Sequence, residues 1–179
     1  WKKVVPDVLV IYEMNVLINL NKIKKNFFKK ENIFFLIFAF IIFSFDRITK
    51  FKILNTYSEN TQYINDYVNI DLIWNIGIGF GFLSTESTLF YNFISTLIGI
   101  VILSLTYFLI ISEKVDKLIY AMIIGGALGN FYDRLIFKAV PDFIDLHYDN
   151  FHWFTFNVAD IFISIGILIF IMRRSFIRK

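Results

Sequence analysis

Four aspartates, Asp46, Asp133, Asp142 and Asp160, stand inside or beside stretches of this chain that carry almost no other charge. A carboxylate in such surroundings is expensive and defaults to a functional reading. Two carboxylates sharing a site cannot both ionise easily, so at neutral pH one is an acid and the other a base. Such a pair can activate water against an amide and protonate the departing nitrogen without a metal. Clustered aspartates can also hold Mg²⁺ or Mn²⁺ for phosphoryl transfer, and the residues alone do not separate the two chemistries. Asn130 precedes Asp133 by three residues, and Asn157 precedes Asp160 by three. That spacing puts amide and carboxylate on one helical face, where the amide can fix the carboxylate rotamer. The blander alternative for either pair is a polar cluster at a helix end.

Other chemistries lack their residues. The chain has no cysteine, which removes disulfides, thiolate metal sites and a Cys nucleophile together. His147 and His152 are its two histidines, too few for a multi-His metal centre. A formal net charge of +3 is too small to point to nucleic acid. No metal and no cofactor is expected.

The elements that must position the aspartates follow from hydropathy. Hydrophobic residues make up 57% of the 179 residues, and the mean hydropathy is +0.62. They lie in blocks instead of alternating with charge, unlike those of a soluble domain. A helix crosses the hydrocarbon with about 20 mostly apolar residues. Ile33 to Phe45 is uncharged and can run on through Asp46 to Phe51; Ser87 to Ser112 is uncharged throughout. Leu118 to Tyr132 ends in Asp133-Arg134, and Trp153 to Met172 has Asp160 as its one charge. The expected spans are residues 33–51, 87–112, 117–135 and 153–172 of a transmembrane domain over 33–172. No polar helical face is left to meet water, which argues against buried helices of a soluble protein.

Between the first two spans, Val68, Ile70, Leu72 and Trp74 alternate with Asn69, Asp71 and Ile73. A period of two predicts a strand, so residues 56–82 are expected to form a small β region. The glycines of Asn75-Ile76-Gly77-Ile78-Gly79-Phe80-Gly81 suit tight turns there. The expected fold class is an all-α membrane protein of four transmembrane helices with a small extracytoplasmic sheet. Residues 1–32 form a basic N-terminal extension. Its apolar part, Val8 to Leu20, is broken by Glu13, Asn15 and Asn19 and suits an interfacial helix better than a span. A lysine cluster follows it where a signal peptide would have a small-residue cleavage site. Residues 173–179 form a basic tail.

Charge sets the orientation. Lys22, Lys24, Lys25, Lys29 and Lys30 precede the first span, Lys114 and Lys117 lie between the second and third, and Arg173, Arg174, Arg178 and Lys179 follow the last. Glu59, Asp66, Asp71 and Glu86 mark the first outer loop, and Asp142, Asp145 and Asp149 the second. Both termini are therefore expected in the cytoplasm. The four aspartates then share one depth, the outer membrane surface, with Asp142 in a loop. Gly125, Gly126 and Gly129 let the third span approach a neighbour closely, the expected neighbour being the fourth.

These blocks, in this order, resemble the lipoprotein signal peptidase (signal peptidase II) family. Asp46-Arg47-Ile48-Thr49-Lys50 resembles its D-x-x-T/S-K element, and Asn75 to Gly81 its N-x-G-A-A-F-G. Gly125-Gly126-Ala127-Leu128-Gly129-Asn130-Phe131-Tyr132-Asp133-Arg134 resembles G-G-A-x-G-N-x-x-D-R and is very specific. Val140-Pro141-Asp142-Phe143-Ile144-Asp145 resembles V-V-D-F-I-D, and Phe156-Asn157-Val158-Ala159-Asp160 resembles F-N-x-A-D. The match covers residues 33 to 172. Pro141 stands where valine is usual and Gly79 where alanine is; neither removes a catalytic group.

The resemblance implies an aspartyl endopeptidase with Asp142 and Asp160 as its dyad. It implies site-supporting or substrate-binding roles for Asp46, Asn75, Asn130, Asp133, Arg134 and Asn157. The implied substrate is a diacylglyceryl-modified prolipoprotein, cut on the amino side of the lipidated cysteine. The implied location is the bacterial cytoplasmic (inner) membrane, with membrane lipids as partners and the site on the outer face. Asn130 and Asn157 would orient carboxylates, Asp133 and Arg134 would form an ion pair, and the enzyme would act as a monomer. The competing readings are a metal-dependent phosphotransferase acting on lipid head groups, an ion or proton pathway, and a scaffold. A pathway would need acidic groups through the bilayer depth, which the second and third spans do not offer near the midplane.

Overall fold

The structure, a computed structural model, describes residues 25–56, 61–77, 88–149 and 151–177. The expectations for Val8 to Leu20, Glu59, the Ile78 to Gly81 part of the glycine motif, Glu86, Ser87, Arg178 and Lys179 lie outside them.

Four long helices and one sheet account for most of the described residues: α1 (Lys30–Thr56), β1 (Gln62–Asn65), β2 (Val68–Asn75), α2 (Thr88–Ile111), α3 (Lys114–Phe137), β3 (Val140–Tyr148), β4 (Phe151–Phe156) and α4 (Val158–Ile177). The helices form where apolar residues run without proline; α1 and α3 outlast their uncharged stretches by a turn or more, and α2 fills its own. α1 and the Tyr91–Ile111 part of α2 are long and apolar enough to cross a membrane. Large apolar side chains such as Phe34, Phe40, Phe51, Phe93 and Leu103 point outward.

α3 is the hub and packs against the other three helices. Its glycines explain how. A Cβ on Gly125 would strike the Ala39 carbonyl and Ile42 of α1, and one on Gly129 would strike the Asp46 carboxylate. A Cβ on Gly126 would strike the Ala159 carbonyl of α4. The Gly125/Gly129 pair therefore admits α1, not the fourth helix as expected; Gly126 admits α4. The apolar core between the helices is built on Phe35, Ala39, Ile102, Leu109, Ala121 and Ile124.

The sheet is antiparallel in the order β1-β2-β3-β4. Three expectations change here. Asp142 lies in β3, not in a loop, and the sheet is not confined to residues 56–82. Trp153 begins no helix: residues 151–156 pair with β3, and α4 starts at Val158. Aromatic and β-branched residues in Phe-His-Trp-Phe-Thr-Phe favour a strand, although their hydropathy matches that of a span.

Candidate active site

The site grows from two helix ends and one strand. α4 needs partners for its first backbone N–H groups. Asn157 is its N-cap: the Asp160 N–H donates to Asn157 Oδ1 at 3.1 Å, and the Asn157 N–H donates to Asp160 Oδ2 at 3.1 Å. This is a reciprocal capping box with Asp in place of Glu. The Ala159 N–H is satisfied from α1, donating to Asp46 Oδ1 at 3.0 Å. The Asn157/Asp160 spacing therefore reflects a cap and not two neighbours on one helical face.

The Asn157 amide also reaches β3. Its Nδ2 donates to Asp142 Oδ1 at 2.5 Å, while Asn75 Nδ2, at the end of β2, donates to Asp142 Oδ2 at 2.8 Å. Asn75 is itself held by the Gly77 N–H, which donates to its Oδ1 at 2.9 Å. Arg134 then holds Gly77, its guanidinium donating to the Gly77 carbonyl at 3.0 Å and to the Asn130 carbonyl at 3.0 Å. Asn130 Nδ2 donates to Asp160 Oδ1 at 2.7 Å. Asn157 thus touches both Asp142 and Asp160, and each carboxylate has an asparagine of another element on it.

Asp133 does not pair with Arg134. It faces α1, accepting from Lys50 Nζ at 2.7 Å and from Arg47 at 2.5 and 2.7 Å. Arg134 is occupied elsewhere, on the Gly77 and Asn130 carbonyls, while the Asp133 side chain turns to the cations of α1. Lys50 also lies 3.0 Å from Asp46 and donates to Asn130 Oδ1 at 2.9 Å. Asp46, Asp133 and Lys50 are almost fully buried. Asn130 therefore bridges Lys50 to Asp160 and does not orient Asp133. Arg47 and Lys50 join the site beyond the residues expected from sequence; the D-x-x-T/S-K match and the i,i+4 spacing of Asp46 and Lys50 are the signals that point to Lys50.

Asp142 is 3% exposed. Burial pushes its pKa up from 3.8 to about 6, and the negative charge of Asp160 adds to the rise. The amides of Asn75 and Asn157 and the charge of Lys50 oppose it without cancelling it. Both carboxylates open onto a cavity of about 480 Å³ whose polar end also holds Asn75, Asn130 and Arg134. Its other walls are apolar faces of α2, α3 and α4, including Ile98, Ile102, Ile123 and Ile167. A second, more open groove lies between α1 and Tyr132, and neither Asp142 nor Asp160 lines it.

A buried acid with its pKa near neutrality and a half-buried acid beside it, at the polar end of an apolar cleft, are equipped for acid–base work on a bond with apolar substituents.

Comparisons with known proteins agree in direction. The model of the family described as Signal peptidase (SPase) II matches residues 38–176. A lipoprotein signal peptidase of Pelagibacter ubique is 44% identical over 161 residues, spanning 88% of this chain and 94% of that one. One from Francisella tularensis subsp. novicida is 38% identical over 151 residues, spanning 81% and 93%. A bacterial membrane enzyme solved by the in meso method at 2.3 Å superposes with a TM-score of 0.68 at 28% identity, covering 79% of this chain and 87% of that one.

Proposed function

This chain belongs to the signal peptidase II family, and from that premise we propose that Asp142 and Asp160 are its catalytic carboxylates. It is a protease that processes lipoprotein precursors. The comparisons give the phosphotransferase reading no support. The bond cut is the one on the amino side of a diacylglyceryl-modified cysteine.

The observation that carries the reading is the Asn157 bridge, with its amide on Asp142 and its backbone N–H on Asp160. The reaction is hydrolysis without an acyl-enzyme. The ionised carboxylate takes a proton from water as the water oxygen attacks the scissile carbonyl. The protonated carboxylic acid hydrogen-bonds the carbonyl and then supplies the proton to the departing nitrogen. Asn75, Asn130 and Asn157 orient the acids, Arg134 holds Asn75 through Gly77, and Asp46 and Asp133 anchor Lys50 beneath Asn130. The apolar cleft between α2, α3 and α4 takes the hydrophobic part of the precursor.

Four spans, cytoplasmic termini and a site at the outer face of the cytoplasmic membrane complete the reading. Two polar layers support it. At the end away from the aspartates, Arg173 pairs with Asp116 at 2.8 Å and Lys117 with Glu31 at 3.5 Å, where the Asn32 amide donates to the Ile110 carbonyl at 3.1 Å. Those contacts join the start of α1 and α3 to the end of α2 and α4, an up-down-up-down bundle.

Asp142→Asn and Asp160→Asn, each assayed on a diacylglyceryl-modified precursor in micelles, are expected to lose cleavage. Near wild-type turnover by either removes the assignment. Activity that dies in EDTA and returns with Mg²⁺ would revive the phosphotransferase.

A further inference from the structure

β3 and β4 form a hairpin, and its two far ends carry Asp142 and Asn157. The spacing of those ends depends on one irregularity. Tyr148 pairs with Phe151 and His147 with His152, but Leu146 pairs with Phe154. Trp153 is therefore an extra residue in β4, a β-bulge. Without it the same turn would set Leu146 opposite Trp153 and Asp142 opposite Asn157. With it, Ile144 pairs with Phe156, so Asn157 falls opposite Phe143 and α4 begins one residue later relative to β3. One residue of slip moves a strand by about 3.3 Å and turns every side chain to the other face.

A side-chain bond straddles that bulge. His152, on its turn side, lies with Nδ1 2.8 Å from Oδ2 of Asp145, on its far side. Asp145 is 3% exposed, so it has little water to fall back on. The His147 ring, directly opposite, stacks on His152 at 5.4 Å and 24° and holds the ring over the bulge. The main-chain N–H of His147 donates to the Tyr67 carbonyl at 3.0 Å, joining this corner to the β1–β2 turn. None of these groups lines the cavity of the aspartates, and the reaction as described makes no use of them.

We propose that Asp145 and His152 are positioning residues for the peptidase reaction, holding the bulge at Trp153 and thereby the placement of Asn157 and Asp160 against Asp142. The proposal rests on the reading of Asp142 and Asp160 as the catalytic pair. Loss of the Asp145–His152 bond frees the hairpin to take the regular register, and the cap of α4 then approaches Asp142 with the wrong residue.

The sequence contains no cysteine, which makes the register readable in the protein in micelles. Leu146→Cys with Phe154→Cys reports the bulged register, and Leu146→Cys with Trp153→Cys the regular one, each scored by the free thiols left after mild oxidation. The 146/154 pair is expected to close first. His152→Ala is expected to shift closure to the 146/153 pair. In the cysteine-free background it should lower kcat about 100-fold with KM unchanged. His152→Gln keeps an N–H donor and should recover most of the loss, which a collapsed hairpin would not. Near wild-type kcat in His152→Ala, a lost kcat with no change in closure, or a Gln variant no better than Ala each overturns the proposal. If Asp142→Asn or Asp160→Asn still cleaves, the parent reading fails while the thiol result still reports what holds the bulge.

Discussion

A carboxylate is tuned by what surrounds it, and at Asp142 burial and the neighbouring acid outweigh two amides and a lysine, leaving its pKa at about 6. At neutral pH the group is mostly ionised, the form a general base needs. Cleavage is therefore expected to fall as the pH drops through about 6, measured as kcat/KM on a lipidated precursor. A flat profile across that value would mean that cleavage needs no ionised carboxylate of the pair. Its effect on stability has the opposite sign. The folded pKa lies above the ordinary 3.8, so the native state binds the extra proton. The stability this contributes is full below 3.8 and is lost as the pH rises through about 6. Asn157 separates two jobs held by one side chain. Asn157→Ser keeps an acceptor for the Asp160 N–H but loses the donor to Asp142; Asn157→Ala loses both. Both variants are expected to lose cleavage, and Ala should unfold more easily than Ser by about 1 kcal/mol. Wild-type turnover by Ser would show the amide is not needed on Asp142. All eight expected site residues lie in the linked polar network; the aspartates are legible because charge is rare in apolar stretches, while Asn75 and Arg134 are named by the family resemblance. Their partners were harder to read: a spacing of three describes a helical face or a capping box equally well, and only the start of α4 at Val158 decides.

Elements were legible where hydropathy is one-sided and obscure where it is not. The uncharged runs of α1, α2 and α3 announce helices, and the alternation of β2 announces a strand. β3 hides because burial on both faces removes alternation, leaving Val140 to Phe143 all buried. β4 hides because a short apolar run has no period that separates strand from helix. The glycines of α3 predict close approach but carry no label for the neighbour. The tie between α1 and α3 is electrostatic at its outer end: Lys50 and Arg47 stand between Asp46 and Asp133. Lys50→Met leaves two buried carboxylates to share Arg47. Breaking a buried pair in this way costs about 3–5 kcal/mol. Lys50→Met is expected to melt well below the wild type in detergent, and adding Asp46→Asn should restore part of the loss. A double variant no better than the single would mean that Lys50 acts by packing its stem and not by its charge.

Among the described residues of the four helices, charge gathers in two layers. From Glu31 to Asp46, from Lys117 to Asp133 and from Asp160 to Arg173 the helices climb about 20 to 24 Å at 1.5 Å per residue, with apolar side chains facing out between. That slab approaches the hydrocarbon thickness of a bilayer, about 30 Å. Aspartates and asparagines dominate one layer; the other is flanked by the lysines before α1 and the arginines at the end of α4, the balance that marks a cytoplasmic side. Positions at the two ends can be tested directly, since no native cysteine competes for a thiol reagent. Tyr67, at the β1–β2 turn, is 60% exposed, and the Glu113 side chain between α2 and α3 is 87% exposed. On intact cells with a permeable outer layer, a membrane-impermeant maleimide is expected to label Tyr67→Cys at once and Glu113→Cys only after the inner membrane is opened. The reverse pattern would put Asp142 and Asp160 in the cytoplasm, on the wrong side to meet the cleavage site of a precursor that has already been exported. Labelling of both from outside would leave α2 with only one side of the membrane to connect, and the bundle could not then span.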